Sequence, residues 1–119
     1  MNNPHWIDDL SASIDSMDTA KFVSFMTDDA VLTFGNAPAV AGKDNIFQVI
    51  DGFFKSIKKL VHHDYITIQE ANKVVVPGTV TYTRHDDTIL SVGFCNVFTM
   101  KDNLISEYRI YVDISQLYI

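Results

Sequence analysis

Between Ser91 and Met100 the chain alternates. Val92, Phe94, Phe98 and Met100 fall on one side of an extended segment, and Asn96 is the single amide in that apolar row. Alternation with a period of two predicts a strand with one face toward a core. Upstream the period changes. Trp6, Leu10, Ile14 and Met17 recur at helical spacing and predict an amphipathic helix over 4–17, with Asn3 as N-cap and Pro4 in the first turn. Asp18 is placed to cap a second helix over 19–27, whose apolar residues are Phe22, Val23, Phe25 and Met26. A short strand over 30–34 is broken by Gly35-Asn36-Ala37-Pro38. The stripe Ile46, Ile50, Phe53, Phe54 and Ile57 predicts a third helix over 42–60. Four strand-like runs follow, over 62–70, 74–84, 88–100 and 104–114, joined by links short enough for hairpins.

Helices followed by an antiparallel meander define an α+β fold: three N-terminal helices on a curved, mainly antiparallel sheet, leaving a cone with a mouth. In the last run Tyr108, Ile110, Val112 and Ile114 share the apolar side, so even positions face inward there as they do around Asn96. Glu107, Arg109, Tyr111, Asp113 and Cys95 then fall on the outer side. Strands 62–70 and 74–84 are apolar on parts of both faces and give no clean facing. A sheet apolar on parts of its second face predicts a homodimer formed through that outer face.

Composition narrows the function classes. The 119 residues are 47% apolar, with no linker or repeat, so a single domain over 1–119 is expected. A net charge of −6 disfavours nucleic acid and anionic membrane as partners. No run approaches the roughly 18 apolar residues of a membrane span. The first ten residues lack the basic-then-apolar pattern of a signal peptide, and a lone Cys95 suits a reducing compartment, so the expected location is cytoplasmic. No phosphate-binding loop, dinucleotide fingerprint or metal-ligand spacing is present, and no cofactor is expected.

The order of elements, with the stretches FMTDDAVLTFGN, VTYTRHDD and NVFTMKDNLISEYRIYVDISQL, resembles the NTF2-like, SnoaL-like superfamily. That superfamily includes polyketide cyclases, ketosteroid isomerase, limonene epoxide hydrolase, scytalone dehydratase and non-catalytic members, and the fold alone does not choose among them. The resemblance places Phe34 where ketosteroid isomerase has its general-base aspartate, and Asn96 where the isomerase and the cyclases have a proton-donating aspartate. It places Ile110 at one aspartate of the epoxide hydrolase, whose paired Arg and Asp fall within 77–81. Scytalone dehydratase matches better: its Tyr-Asp falls on Ile14-Asp15, its first histidine on His63 and its pocket asparagine on Asn96. Its second histidine is replaced by Gly78 or Thr79, and a water-holding tyrosine by Phe34. A similar pocket layout is implied, without the same reaction.

The candidate site is therefore His63 as acid/base, Asp15 as the carboxylate that orients it, and Asn96 as the group that meets a carbonyl or enolate oxygen. Ile14, Phe34, Phe53, Tyr65, Phe94, Phe98, Tyr108 and Ile110 are the expected cavity walls. The expected ligand is an apolar, oxygenated small molecule, and the chemistry is cofactor-free dehydration, isomerisation or cyclisation. The alternative is a non-catalytic ligand-binding or dimerisation module on the same fold.

Overall fold

The computed structural model describes residues 4–118. Its helices are α1 (His5–Asp15), α2 (Thr19–Val23) and α3 (Lys43–Lys55). Its strands are β1 (Met26–Phe34), β2 (Val40–Ala41), β3 (Lys59–His63), β4 (Ile68–Glu70), β5 (Lys73–Thr83), β6 (Ile89–Lys101) and β7 (Leu104–Val112). The strands form one sheet in the order β2-β1-β7-β6-β5-β3, with β4 also paired to β5. Every pairing is antiparallel except β1 with β7, which is parallel. The helices pack on one face of this curved sheet, giving the α+β cone that the resemblance implies.

Each helix buries one stripe. In α1 that stripe is Ile7, Leu10 and Ile14; in α3 it is Ile46, Ile50 and Phe54. Pro4 takes the N-cap position of α1, and the expected cap Asn3 lies outside the described residues. Asp18 caps α2 by accepting from the Lys21 amide at 3.0 Å.

Two helices stop earlier than their sequence stripes suggest, because a strand partner claims the chain. The second helix, expected over 19–27, ends at Val23; the Ile105 amide then donates to the Phe25 carbonyl at 2.8 Å and draws Met26 into β1 beside β7. The third, expected to reach residue 60, ends at Lys55; the Lys58 amide donates to the Thr83 carbonyl at 2.9 Å and starts the β3–β5 ladder. Leu60 is thus a strand residue. The run expected over 62–70 is two strands, because Asp64 adopts φ 55° and ends β3 at His63.

The β6–β7 hairpin turns at Asp102 and Asn103, both at positive φ (52° and 68°), the left-handed backbone that a tight two-residue hairpin turn requires. A register shift at Thr99/Met100 follows, with the Ser106 hydroxyl donating to the Thr99 carbonyl at 3.0 Å. That extra residue puts both Ile105 and Tyr108 in the core despite their odd spacing. From Tyr108 onward the even positions of β7 face the helices, as do Phe94, Asn96 and Phe98 of β6 and Val74, Val76, Val80 and Tyr82 of β5.

Candidate functional site

The interior is not filled to the mouth. Between α3, the inner face of the sheet and the end of α1 lies a small cavity, with about 40 Å³ of room for the centres of water molecules. A site needs roughly 10–15 Å³ of such room per water, so this is a small, narrow slot. Its walls are predominantly apolar: Ile14 from α1, Phe22 from α2, Ile50, Phe53 and Phe54 from α3, and Leu60, Val80, Phe94, Ile110 and Val112 from the sheet. Phe34 stands edge-on to Phe53 with ring centres 4.8 Å apart, and Tyr82 meets Phe53 from the other side at 6.1 Å.

Four polar side chains reach this slot: His62, Asn96, Tyr108 and Tyr82. The His62 ring is 11% exposed and stands edge-on to Phe94 at 5.1 Å. Its Nδ1 lies 2.7 Å from Asp15 Oδ1, and the same carboxylate accepts from the His62 backbone amide at 3.1 and 3.2 Å. A carboxylate that receives these bonds is an acceptor, so Nδ1 carries the proton. In the neutral form of the ring the lone pair is then at Nε2. Nε2 makes no protein hydrogen bond among the described residues.

Asn96 is 6% exposed and sits opposite Ile110 and Val76 in the sheet. Its Nδ2 donates to the Tyr108 hydroxyl at 3.5 Å, while its Oδ1 is buried without any partner. Burial pushes the Tyr108 phenol well above its ordinary pKa, and Tyr82 shifts the same way, again chiefly by burial with a smaller push from Tyr118. Both hydroxyls stay protonated across the physiological range.

The expected site is thus partly rearranged. Asn96, Ile14, Phe34, Phe53, Phe94, Tyr108 and Ile110 border the slot, and Asp15 stands behind it, joined to it through His62. His63 does not. It projects from the outer face, where Nδ1 meets Asp64 Oδ2 and Nε2 meets Thr81 Oγ1, both at 2.9 Å. The imidazole beside Asp15 is His62. The parity follows from Leu60: a strand that buries Leu60 also turns His62 inward and His63 outward. Starting the strand at 62 instead of 59 hid that signal.

Two expected wall residues also lie elsewhere. Tyr65 comes after the positive-φ break at Asp64, so period-two spacing from β3 does not extend to it. Its hydroxyl donates to Asp8 Oδ1 at 2.7 Å, and its pKa rises, by burial first and then by that carboxylate. Phe98 faces inward but is packed solid, with ring centres 5.4 Å from Trp6 and 4.4 Å from Tyr108. Sequence reasoning missed Tyr82 and Val80 as walls; their alternation with Val74 and Val76 carried the signal.

A helix-covered cone whose slot holds one oriented imidazole and one buried amide defines a class of small-cavity α+β proteins. Within that class the chain belongs to the SnoaL-like domain family, whose model matches residues 7–108, and hence to the NTF2-like superfamily. No curated protein matches the sequence. Among solved structures the chain is similar to a candidate polyketide cyclase from Xanthomonas campestris pv. campestris, at 11% identity and a TM-score of 0.85 over 93% of this chain and 90% of that one. It is also similar to a hypothetical protein of ketosteroid isomerase-like fold from Catenulispora acidiphila, crystallised with trimethylamine: 10% identity, TM-score 0.87, 96% and 89% covered. A third similar structure is TerC, co-crystallised with polyporic acid: 18% identity, TM-score 0.81, 94% and 92% covered. Identities this low establish the shared fold alone. No described helix is long and apolar enough to cross a membrane, and the described residues hold no cluster of three or more His, Cys, Asp or Glu able to take a metal ion.

Proposed function

We propose that the slot binds a flat, apolar, oxygenated small molecule and that the protein catalyses cofactor-free proton transfer on it, in the manner of an isomerase, dehydratase or cyclase. The observation that carries this reading is the His62–Asp15 pair. A carboxylate fixes the tautomer of an imidazole whose other nitrogen is free beside an apolar cavity. That is the arrangement a general base needs, and such a group contributes roughly 10²–10⁴-fold to a rate. His62 Nε2 takes a proton from the carbon next to a carbonyl. The protonated Tyr108 hydroxyl also lines the slot and supplies the donor for a ligand oxygen that gains electron density. The resemblance puts Phe34 where ketosteroid isomerase carries its base, which leaves His62 as the base in this slot.

The test uses 2-tetralone, a flat ketone with acidic α-hydrogens, in deuterated buffer. NMR follows loss of the α-proton signals, with buffer alone as the background. The wild-type protein is expected to accelerate exchange, and His62→Gln, folded by circular dichroism, to lose about 10²-fold or more of that acceleration. Equal rates for the two proteins would reject the assignment. The narrowness of the slot favours one second reading, a module that holds its ligand passively. It is recognised by saturable binding with no exchange above background.

We also propose a homodimer through the outer sheet face. Val61 and Tyr111 are 37% and 54% exposed there, among Thr and Gly residues, which leaves apolar surface on that face open to water.

A further inference from the structure

The unpartnered oxygen of Asn96 names the functional group that belongs beside it. A buried carbonyl oxygen without a donor is costly, so a ligand that supplies one is favoured over a ligand that does not. Water in the slot could supply it in the free protein. A flat ligand that displaces that water must replace the donated bond or lose affinity. An ether or a ketone cannot donate; a hydroxyl can.

The neighbours sharpen the choice. Tyr108 already accepts from Asn96 Nδ2, so its own O–H remains to be donated, and it has no other protein partner among the described residues. A ligand oxygen at this place therefore meets one acceptor, Asn96 Oδ1, and one donor, Tyr108 O–H. A neutral hydroxyl satisfies both at once. The surrounding walls are the faces and edges of Phe22, Phe34, Phe53 and Phe94, which favour a planar ring system over a chain.

We infer that the slot is specific for a planar phenol or enol, whose hydroxyl donates to Asn96 Oδ1 and accepts from Tyr108. This rests on the binding reading above and gives it a substrate class. A site that holds an enol hydroxyl more tightly than the parent ketone lowers the free energy of the enol relative to the ketone by the difference in binding.

Three flat probes of nearly equal size separate the possibilities: 2-naphthol, which can donate; 2-methoxynaphthalene, which cannot; and 2-tetralone, which accepts only. Isothermal titration calorimetry on the whole protein should show 2-naphthol binding at least tenfold more tightly than either of the others. Asn96→Leu should bring 2-naphthol and 2-methoxynaphthalene to within threefold of each other. The comparison among probes on the wild type stands even if that variant does not fold. Equal affinity of the three probes, or a preference for 2-tetralone, would overturn the inference and leave the binding reading standing. Failure of all three to bind at millimolar concentration would overturn both.

Discussion

Asp15 does two things with one carboxylate. It orients the His62 ring and it accepts the backbone amide of the same residue, on the side of β3 that has no strand neighbour. An acid at the last turn of a helix is disfavoured by the helix dipole, by roughly 0.3–1 kcal/mol. The bonds to β3 more than offset that, since hydrogen bonds to a charged group contribute about 1.5–3 kcal/mol. Asp15→Ala is therefore expected to lower stability by about 1–3 kcal/mol in urea denaturation and to cut exchange activity as well. Asp15→Asn, which keeps a backbone acceptor but not the charge, should recover part of the stability and little of the activity. Tyr108 and Tyr82 make a second residue-scale prediction. Their phenols titrate above the ordinary value of 10.0 in the folded protein and near it when unfolded. Above pH 10 the unfolded chain gives up protons that the folded one keeps, so folding stability is full below pH 10 and falls as pH rises further. Tyr108→Phe should make that alkaline decline shallower by up to one proton, measured as the slope of unfolding free energy against pH between 10 and 12. Asn96 was legible at this scale, because an amide in an apolar row is conspicuous. His62 was not, because two adjacent histidines differ only in parity.

Parity belongs to elements, and the limits of reading elements from sequence lie at their ends. The hydrophobic period inside α1, α3, β6 and the last part of β7 identified each of them, since the buried stripe of an element is written in its own residues. Where α2 and α3 stop is decided elsewhere, by the amides of Ile105 and Lys58 donating to distant carbonyls. No local pattern encodes those bonds. The same holds for the parallel joining of β1 to β7 and for the bulge that admits both Ile105 and Tyr108 to the core. Gly78 in β5 shows what the crossing of elements demands. A Cβ there would stand 2.6 Å from the Cβ of Tyr65 and 2.9 Å from Cζ of Phe94, so the loop after β3 lies against bare backbone. Gly78→Ala should cost about 1–3 kcal/mol, the usual range for overpacking, in thermal or urea unfolding. Because Phe94 is a cavity wall that must shift, the variant should also bind 2-naphthol more weakly. A neutral Gly78→Ala would mean that the Tyr65 loop yields freely and does not brace the slot.

At the scale of the whole molecule, the helices cover one face of the sheet and leave the other to be covered by something else. Across the middle of that outer face, Val61 of β3 sits beside Thr81 of β5 and Ser91 of β6, while Tyr111 of β7 sits beside Cys95 of β6 and, beyond it, Pro77 of β5. Arg109 and Glu107, 3.8 Å apart, form an ion pair on this face. A second copy is the proposed cover, and electrostatics gives that proposal a sign. Two chains of net charge −6 repel, so association driven by apolar burial should strengthen as salt screens the charge, whereas association held by ion pairs would weaken. Sedimentation at tens of micromolar protein should give twice the 13.4 kDa chain mass, with the dimer favoured further by raising sodium chloride from about 0.05 to 0.5 M. Tyr111→Glu places a charge in the centre of the face and should shift the protein to monomer. The slot, on the opposite face of the sheet, should keep its affinity for 2-naphthol in that variant. A wild-type protein that sediments as a monomer at all salt concentrations would remove the pairing. A dimer that Tyr111→Glu leaves intact would place the contact on another surface, since a buried, unpaired carboxylate at the centre of an interface costs more than most interfaces can absorb.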